Sequence, residues 1–202
     1  TFSLGSSEDR RLMDVLRAKC GAVVIGAHTL ALDGWAIRVR DAATRRKRTA
    51  SGKPPHPLNV VVSTELDLPG RAQFFTFEDT EKLVITTKKA SPSRRKRFEK
   101  VSEVVVIPRL RVKPADVLEI LARRGIKKVL VEGGGALNFS FFRDNLVDEL
   151  FVTVTPRILG GSEAPTPVDG AGFLADSHVP LALVSSRRRG NEMFLRYRVL
   201  TR

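Results

Sequence analysis

The 202-residue chain predicts a single three-layer α/β domain with a mixed, mostly parallel sheet that ends in antiparallel C-terminal strands. Three observations carry that expectation. Short, wholly apolar runs such as Ala22-Val23-Val24-Ile25 have the composition of strands buried on both faces. The stretch from Lys127 to Leu137 reads as a strand, a tight glycine loop and the start of a helix. After about residue 150 strand-like runs replace the alternation of strands and helices.

Taken in order, Ser6-Ser7-Glu8-Asp9 opens a helix, with serine as N-cap and acids in the first turn. Leu12, Met13, Leu16 and the stem of Arg17 recur at helical spacing up to Lys19. Ala22 to Ile25 is a buried strand ending in the turn Gly26-Ala27-His28-Thr29. From Leu30 to Pro57 the chain is basic and proline-punctuated, so a long ligand-facing loop is expected. Leu58 to Val62 is the next buried strand, ended by Ser63. Phe74-Phe75 marks another short strand, followed by Leu83 to Thr86 and Val104 to Ile107.

Pro114 suits the first position of a helix running to Arg124, and Gly125 its left-handed end. Phe139, Phe141, Phe142 and Leu146 belong to the helix after the glycine loop, and Phe151 to Val154 is a strand. Proline and glycine crowd the segment from Pro156 to Gly172. Leu181 to Ser186 and Met193 to Val199 then read as strands joined by a basic turn at Arg187 to Gly190.

Composition narrows the function classes. A net charge of +13 suits an anionic partner: nucleic acid, an acidic surface or a small polyanion such as a phosphorylated metabolite. The runs Arg45 to Arg48 (with Lys53) and Arg94 to Arg97 lie in expected connecting segments with little aromatic interleaving. A solvated surface is therefore expected rather than a base-stacking platform. No apolar run reaches the roughly 20 residues of a membrane helix, and no secretory signal opens the chain. The single cysteine, Cys20, fits a reducing, cytoplasmic setting and reads as a small buried hydrophobe. His28, His56 and His178 are scattered, and no metal-ligand spacing is present.

The most informative stretch is Val131-Glu132-Gly133-Gly134-Gly135-Ala136-Leu137. Side-chain-free residues at a strand's end admit close backbone approach, and the following helix offers unpaired N–H groups to an anion. The spacing is not the G-x-G-x-x-G fingerprint. Alone it is equally consistent with a phosphate cradle and with an ordinary strand-to-helix turn.

Four blocks together resemble one family. These are Arg10 to Arg17 with Ala22 to Thr29 and Asp33, the strand ending in Ser63, Val131 to Gly135, and Thr155-Pro156-Arg157-Ile158-Leu159-Gly160-Gly161. Their order is similar to that of the dihydrofolate-reductase-like reductases of riboflavin biosynthesis. That family includes stand-alone diaminopyrimidine reductases and the C-terminal half of the bifunctional deaminase-reductase. The resemblance implies that fold and NADPH-dependent reduction of a ribosylaminopyrimidine 5′-phosphate to its ribityl form. It also implies a homodimer.

Carried across, Thr29, Asp33 and Ser63 match cofactor-contacting positions, and Gly133, Gly134, Gly135, Ala136 and Leu137 match the pyrophosphate cradle. Arg17, Ile37, Arg40 and Glu132 match substrate positions, and Gly5 and Ser6 fall where the two segments meet. The residue types suit the chemistry, since guanidinium groups engage phosphate through paired charged hydrogen bonds. Arg17 would also sit favourably as a plain cation in a helix's last turn, and Glu132 as a cap for nearby N–H groups. No catalytic group is assigned, because hydride transfer rests on cofactor chemistry and positioning. Lys88 and Lys89 are candidates for the NADPH 2′-phosphate.

Two departures follow. The family normally has a core strand ending in a Ser-x-Asp-Gly-like turn before the first helix, whereas this sequence starts at Thr1, just after it. The domain, residues 1–202, is thus expected to lack that strand, and truncation is the simpler reading, because loss would expose neighbouring strand edges. The basic stretch Arg45 to Lys53 is also heavier in charge than the fold requires. Two alternatives stay open: a same-fold NADPH reductase of another pterin or pyrimidine, and a basic nucleic-acid-binding module.

Overall fold

A computed structural model describes residues 4–174 and 177–200. The first half alternates strands with helices, with two helices between the first strand and the second. Helix α1 (Ser7–Lys19) leads into β1 (Ala22–Gly26), α2 (Ala27–Asp33) and α3 (Ala42–Ala50). Then come β2 (Leu58–Val62), α4 (Gln73–Thr76), β3 (Lys82–Thr87), α5 (Pro92–Phe98) and β4 (Glu103–Ile107). Helix α6 (Pro114–Arg123), β5 (Val129–Val131) and α7 (Gly135–Arg143) follow, and β6 (Glu149–Val154), β7 (Leu181–Arg189) and β8 (Glu192–Val199) close the chain.

Strands β4-β3-β2-β1-β5 form a wholly parallel sheet in that order, with β1 at the point where the order turns back. Because side chains alternate across a strand, the run Ala22-Val23-Val24-Ile25 feeds two cores. Val23 and Ile25 pack with Leu30, Phe74, Phe75 and Phe98 on one face. Ala22 and Val24 pack with Val60, Leu83, Val117 and Leu121 on the other. Those two cores are what make the architecture three-layered, as the sequence led one to expect. The antiparallel C-terminal strands are hydrogen-bonded as a sheet of their own, β6-β8-β7, with an irregularity between Leu183 and Ser185.

Local chemistry explains the ends of the elements. Ser6 Oγ accepts the N–H groups of Glu8 and Asp9 at 3.1 and 3.4 Å, so the expected N-cap is the actual one. Pro114 begins α6 and Gly125 adopts φ +74°, also as expected.

Three segments differ from the sequence reading. Phe74 and Phe75 lie in the single turn α4, not in a strand. The two rings meet edge to face at 5.0 Å and Phe75 meets Phe98 at 5.0 Å, so the pair plugs the core from a helical turn. A two-residue apolar run has no period with which to distinguish the two states. The stretch from Leu30 to Pro57 is not one irregular loop, because it holds most of α2 and all of α3. Helix α3 has no apolar stripe; Asp41 caps it by accepting the Thr44 N–H at 2.6 Å. Its alanine, arginine and lysine content then favours the helix intrinsically.

The run Arg94 to Arg97 is likewise helical, in α5, capped by Ser91 with Pro92 in its first turn. The expected basic turn at Arg187 to Gly190 is mostly strand, since β7 continues to Arg189.

Nor is the Arg45–Arg48 run wholly solvated. Arg48 is 4% exposed, and its guanidinium donates to the carbonyls of Ala18 at 2.8 Å, Cys20 at 2.6 Å and Pro54 at 2.7 Å. The last carbonyls of a helix have no partner within it, so Arg48 acts as a buried C-terminal cap of α1. Cys20, at that junction, is only partly buried.

Candidate active site

Parallel pairing brings the strand ends that matter to one edge. Gly26 at the end of β1 pairs with Val62, directly before Ser63, and Glu132 follows the end of β5, its N–H donating to the Val24 carbonyl at 3.0 Å. The carboxyl edge of an open parallel sheet, at the point where strand order reverses, is where such folds place ligands. A cleft of about 980 Å³ opens there between α1, α2 and the segment from Gly34 to Asp41.

Six of the residues singled out from sequence line this cleft together: Arg17, Thr29, Asp33, Ile37, Arg40 and Glu132. The face of α1 presented to it carries Ser7, Arg10, Arg11, Asp14 and Arg17, a spacing of three and four residues. Arg17 and Glu132 form a two-pronged ion pair, with Nε to Oε1 at 2.7 Å and Nη2 to Oε2 at 2.6 Å. Arg17 also donates from Nη1 to the Arg38 carbonyl at 3.3 Å. Burial pulls the Arg17 pKa down, but the hydrogen bond and charge of Glu132, helped by Asp14, leave it above its ordinary value.

The glycine loop stands next to Thr29. Gly26 N–H donates to the Gly133 carbonyl at 3.0 Å, and Gly133 has φ +101°, a backbone state suited to glycine. A Cβ on Gly134 would lie 3.1 Å from Thr29 Oγ1, so the loop lies close against that side chain. A Cβ on Gly135 would lie 2.2 Å from Asp169 Oδ2 and 2.8 Å from the Asp169 backbone nitrogen. The proline- and glycine-rich segment therefore packs directly on the start of α7. Asn138 Nδ2 donating to the Pro167 carbonyl at 2.8 Å and the Phe139–Phe173 ring contact at 5.1 Å hold it there.

Ser63 is buried at the end of β2 on the same edge, and neither it nor residues 133–137 form part of the cleft wall. Lys88 and Lys89 are exposed just past the end of β3, two strands from β1. His28 is exposed beside Thr29. Gly5 and Ser6 lie at the start of α1, where Ser6 donates through its backbone N–H and hydroxyl to Glu192 at 2.8 and 2.5 Å.

Several residues that organise the site were not singled out beforehand. Asn59, fully buried in β2, accepts the Ile37 N–H at 2.7 Å and donates to the Ile37 carbonyl at 2.9 Å. Asp14, also buried, accepts the N–H groups of Arg40 and Asp41 at 3.1 and 2.7 Å. His56 Nδ1 accepts the Val39 N–H at 3.1 Å. Three buried polar side chains thus fasten the segment from Ile37 to Asp41, which has no regular structure of its own. The available signal was a polar residue inside an apolar run (Asn59) and an acid on a basic helix face (Asp14). Trp35, half exposed, and Phe77 add aromatic surface to the cleft wall.

The residues fit a dinucleotide. A side-chain-free loop lies against a threonine hydroxyl, opens a nine-residue helix and stands at the sheet's switch point.

Comparison with known proteins agrees with that geometry. The RibD C-terminal domain family matches residues 2–195. A 2,5-diamino-6-ribosylamino-4(3H)-pyrimidinone 5′-phosphate reductase of Archaeoglobus fulgidus is 36% identical over 85% of this chain and 78% of its own length. The Methanothermobacter thermautotrophicus protein of the same description is 33% identical, covering 97% of this chain and 88% of the relative. The crystal structure of a pyrimidine reductase-like protein from Corynebacterium diphtheriae superposes with a TM-score of 0.82 at 25% identity, over 98% of this chain and 84% of that one. The chain belongs to the RibD C-terminal domain family of dihydrofolate-reductase-like pyrimidine reductases.

Proposed function

We propose that this chain reduces a (di)amino-ribosylamino-pyrimidinone 5′-phosphate to the ribitylamino form at the expense of NADPH, a step of riboflavin biosynthesis. The observation that carries the reading is the meeting of Thr29, Asp33, Ile37, Arg40, Arg17 and Glu132 in one cleft at the carboxyl edge of the sheet. The relatives' shared description as reductases of such a phosphate supports the substrate class.

In this reading Thr29, Asp33 and Ser63, with the loop from Gly133 to Leu137, hold the dinucleotide, and Ile37, Arg40, Arg17 and Glu132 hold the substrate. When bound, the nicotinamide would supply the hydride that reduces C1′ of the substrate's open imine form, the imine nitrogen taking up a proton from water. The protein's part is positioning. Asn59, Asp14 and His56 fix the wall from Ile37 to Asp41, and Arg17 fixes the Glu132 carboxylate toward hydroxyl or amino donors of the substrate.

The test is NADPH oxidation by the purified chain with and without the diamino-ribosylaminopyrimidine phosphate, beside an NADPH titration. Substrate-dependent oxidation is expected. NADPH binding without oxidation would point to another pyrimidine or pterin, and absence of NADPH binding would overturn the reading.

A further inference from the structure

Helix α3 carries the basic run Arg45 to Arg48, and its cations divide between two faces. Arg46 and Lys47 are exposed, and among the described residues neither side chain forms an ion pair or a hydrogen bond. Arg45 and Arg48, three residues apart and so neighbours on the helix surface, both turn inward. Arg45 donates from a single nitrogen, Nη1, to the carbonyls of Val39 at 3.0 Å and Arg40 at 3.3 Å. Both carbonyls belong to the segment that brings Ile37 and Arg40 to the cleft.

Arg48 spreads its fork over two other segments. Nη1 faces the end of α1 and donates to the carbonyls of Cys20 at 2.6 Å, Ala18 at 2.8 Å and Arg17 at 3.5 Å. Nε and Nη2 face the turn before β2 and donate to the carbonyls of Pro54 at 2.7 Å and His56 at 3.4 Å. Among the described residues no carboxylate pairs with this buried guanidinium, and burial pushes its pKa below the ordinary value. A buried cation of this kind is costly unless its carbonyl contacts are kept, so it fixes the spacing of the two segments it joins. Each segment leads into the cleft. The end of α1 carries Arg17, whose side chain holds Glu132, and the turn carries His56, whose ring holds the Val39 N–H.

We propose that Arg45 and Arg48 are positioning residues for the substrate half of the cleft, with α3 as the brace that sets the wall from Ile37 to Asp41 against α1. The inference rests on the assignment of Ile37, Arg40, Arg17 and Glu132 to the substrate, and it gives the basic run a role that needs no polyanionic macromolecule. The wall has no helix or strand pairing of its own. Its N–H groups go to Asn59, His56 and Asp14, and Arg45 takes the carbonyls of Val39 and Arg40. Without α3 one side of that segment is untied, and its backbone decides where Ile37 and Arg40 meet a ligand. A displacement of about 1 Å at such a wall can cost on the order of 100-fold in rate.

The experiment is amide hydrogen exchange, read by NMR on the full chain, for the wild type, Arg45→Met, Arg45→Lys, Arg48→Lys and Lys47→Ala, beside the kinetics of the proposed reduction. Arg45→Met should speed exchange at Val39, Arg40 and Asp41 by roughly tenfold, the scale of a lost charge-assisted hydrogen bond, and leave Val60 and Val84 in the core strands unchanged. Arg45→Lys should restore most of the protection, because one nitrogen serves both carbonyls. Arg48→Lys should speed exchange at the same wall amides, because a point charge cannot span α1 and the turn at once. Lys47→Ala, which removes a charge from the other face of α3, should match the wild type. In turnover, Arg45→Met and Arg48→Lys should raise KM for the aminopyrimidine phosphate several-fold more than KM for NADPH.

Acceleration spread evenly over the wall, Val60 and Val84 would mean a plain loss of stability and would overturn the proposal. So would an Arg48→Lys protein that keeps wild-type protection, a Lys47→Ala effect as large as that of Arg45→Met, or KM values that change no more for the substrate than for NADPH. Arg45 is only half-buried, so its variants report even where Arg48→Lys fails to fold. The two readings fail separately. Selective exchange at the wall in a chain that never oxidises NADPH would keep the brace and sink the reductase. Substrate-dependent oxidation with unselective exchange would do the reverse.

Discussion

Arg17 and Glu132, 115 residues apart in the chain, close on each other as two parallel hydrogen bonds of 2.7 and 2.6 Å. One residue comes from the last turn of α1 and the other from the mouth of β5, so the pair ties helix to sheet in the wall of the cleft. Their side chains are 17% and 11% exposed. At that burial neither charge is comfortable alone.

A double-mutant cycle in urea unfolding tests the pair. Arg17→Met alone strands a carboxylate and should cost somewhat less than the roughly 3–5 kcal/mol of a fully enclosed pair, because some water reaches it. Glu132→Leu alone strands the guanidinium at similar cost. Arg17→Met/Glu132→Leu should be more stable than the sum predicts, with a coupling above about 1 kcal/mol. Additive effects would mean that the two groups do not depend on each other.

Much of this site was legible because its residues have chemical reasons to be where they are. Glycines at the end of an apolar strand, a serine before two acids and a proline opening a helix act over a few residues, and each stands where it was expected. Residues 42–50 and 92–98 were not legible as helices. Their stability comes from the caps Asp41 and Ser91 and from single buried anchors, Arg48 and Phe98, rather than from an apolar stripe. Arg48 shows the limit most plainly. It stands in a run of four basic residues that differ only in what the fold brings opposite them, and it alone meets the open carbonyl end of α1. The roles of Asn59 and Asp14 were hidden for the same reason, since their partners lie 22 and 26 residues away.

Gly135 should not tolerate a methyl group. The atoms nearest to its absent Cβ include the Asp169 backbone nitrogen at 2.8 Å, which cannot rotate aside as a side-chain tip can. Gly135→Ala is expected to lift the segment around residues 166–169 off α7 and to cost about 1–3 kcal/mol, the range for overpacking. Limited proteolysis should then cut faster between residues 160 and 174. Gly52→Ala is the contrast. Nothing lies within 4 Å of its Cβ position, and its φ of +76° leaves only the left-handed penalty of about 1–2 kcal/mol with no change in cleavage pattern. Equal cleavage in both variants would contradict the packing account.

Stability should fall on mild acidification through His56. Its Nδ1 accepts the Val39 N–H, which places the proton of the neutral ring on Nε2, facing Asp79 at 3.4 Å. Burial pushes its pKa below the ordinary value; the Asp79 charge opposes this, and Arg38 and Arg45 reinforce it. The unfolded chain therefore binds a proton at higher pH than the folded one. The stabilisation is complete above the unfolded value of about 6.5 and is lost as pH falls through the lower folded value. Melting temperature should drop between pH 7 and pH 5. His56→Asn keeps an acceptor for Val39 without a titrating ring, and its melting curve should be flatter over that range. Parallel curves for the two proteins would assign the acid sensitivity elsewhere.

The chain's single tryptophan gives the cleft its own reporter. Trp35 is 50% exposed on the wall between Asp33 and Ile37, directly after Gly34, whose left-handed backbone (φ +67°) ends α2. A flat heteroaromatic ring entering the cleft would cover part of that indole and exchange water for a stacking partner. NADPH or the aminopyrimidine phosphate should therefore quench or blue-shift its emission, whereas ribose 5-phosphate, which has no aromatic ring, should change it far less. Trp35→Leu should abolish the signal and weaken the aromatic ligand by several-fold while leaving ribose 5-phosphate affinity unchanged. Emission that ignores a saturating aromatic ligand would mean that the ligand binds away from this wall.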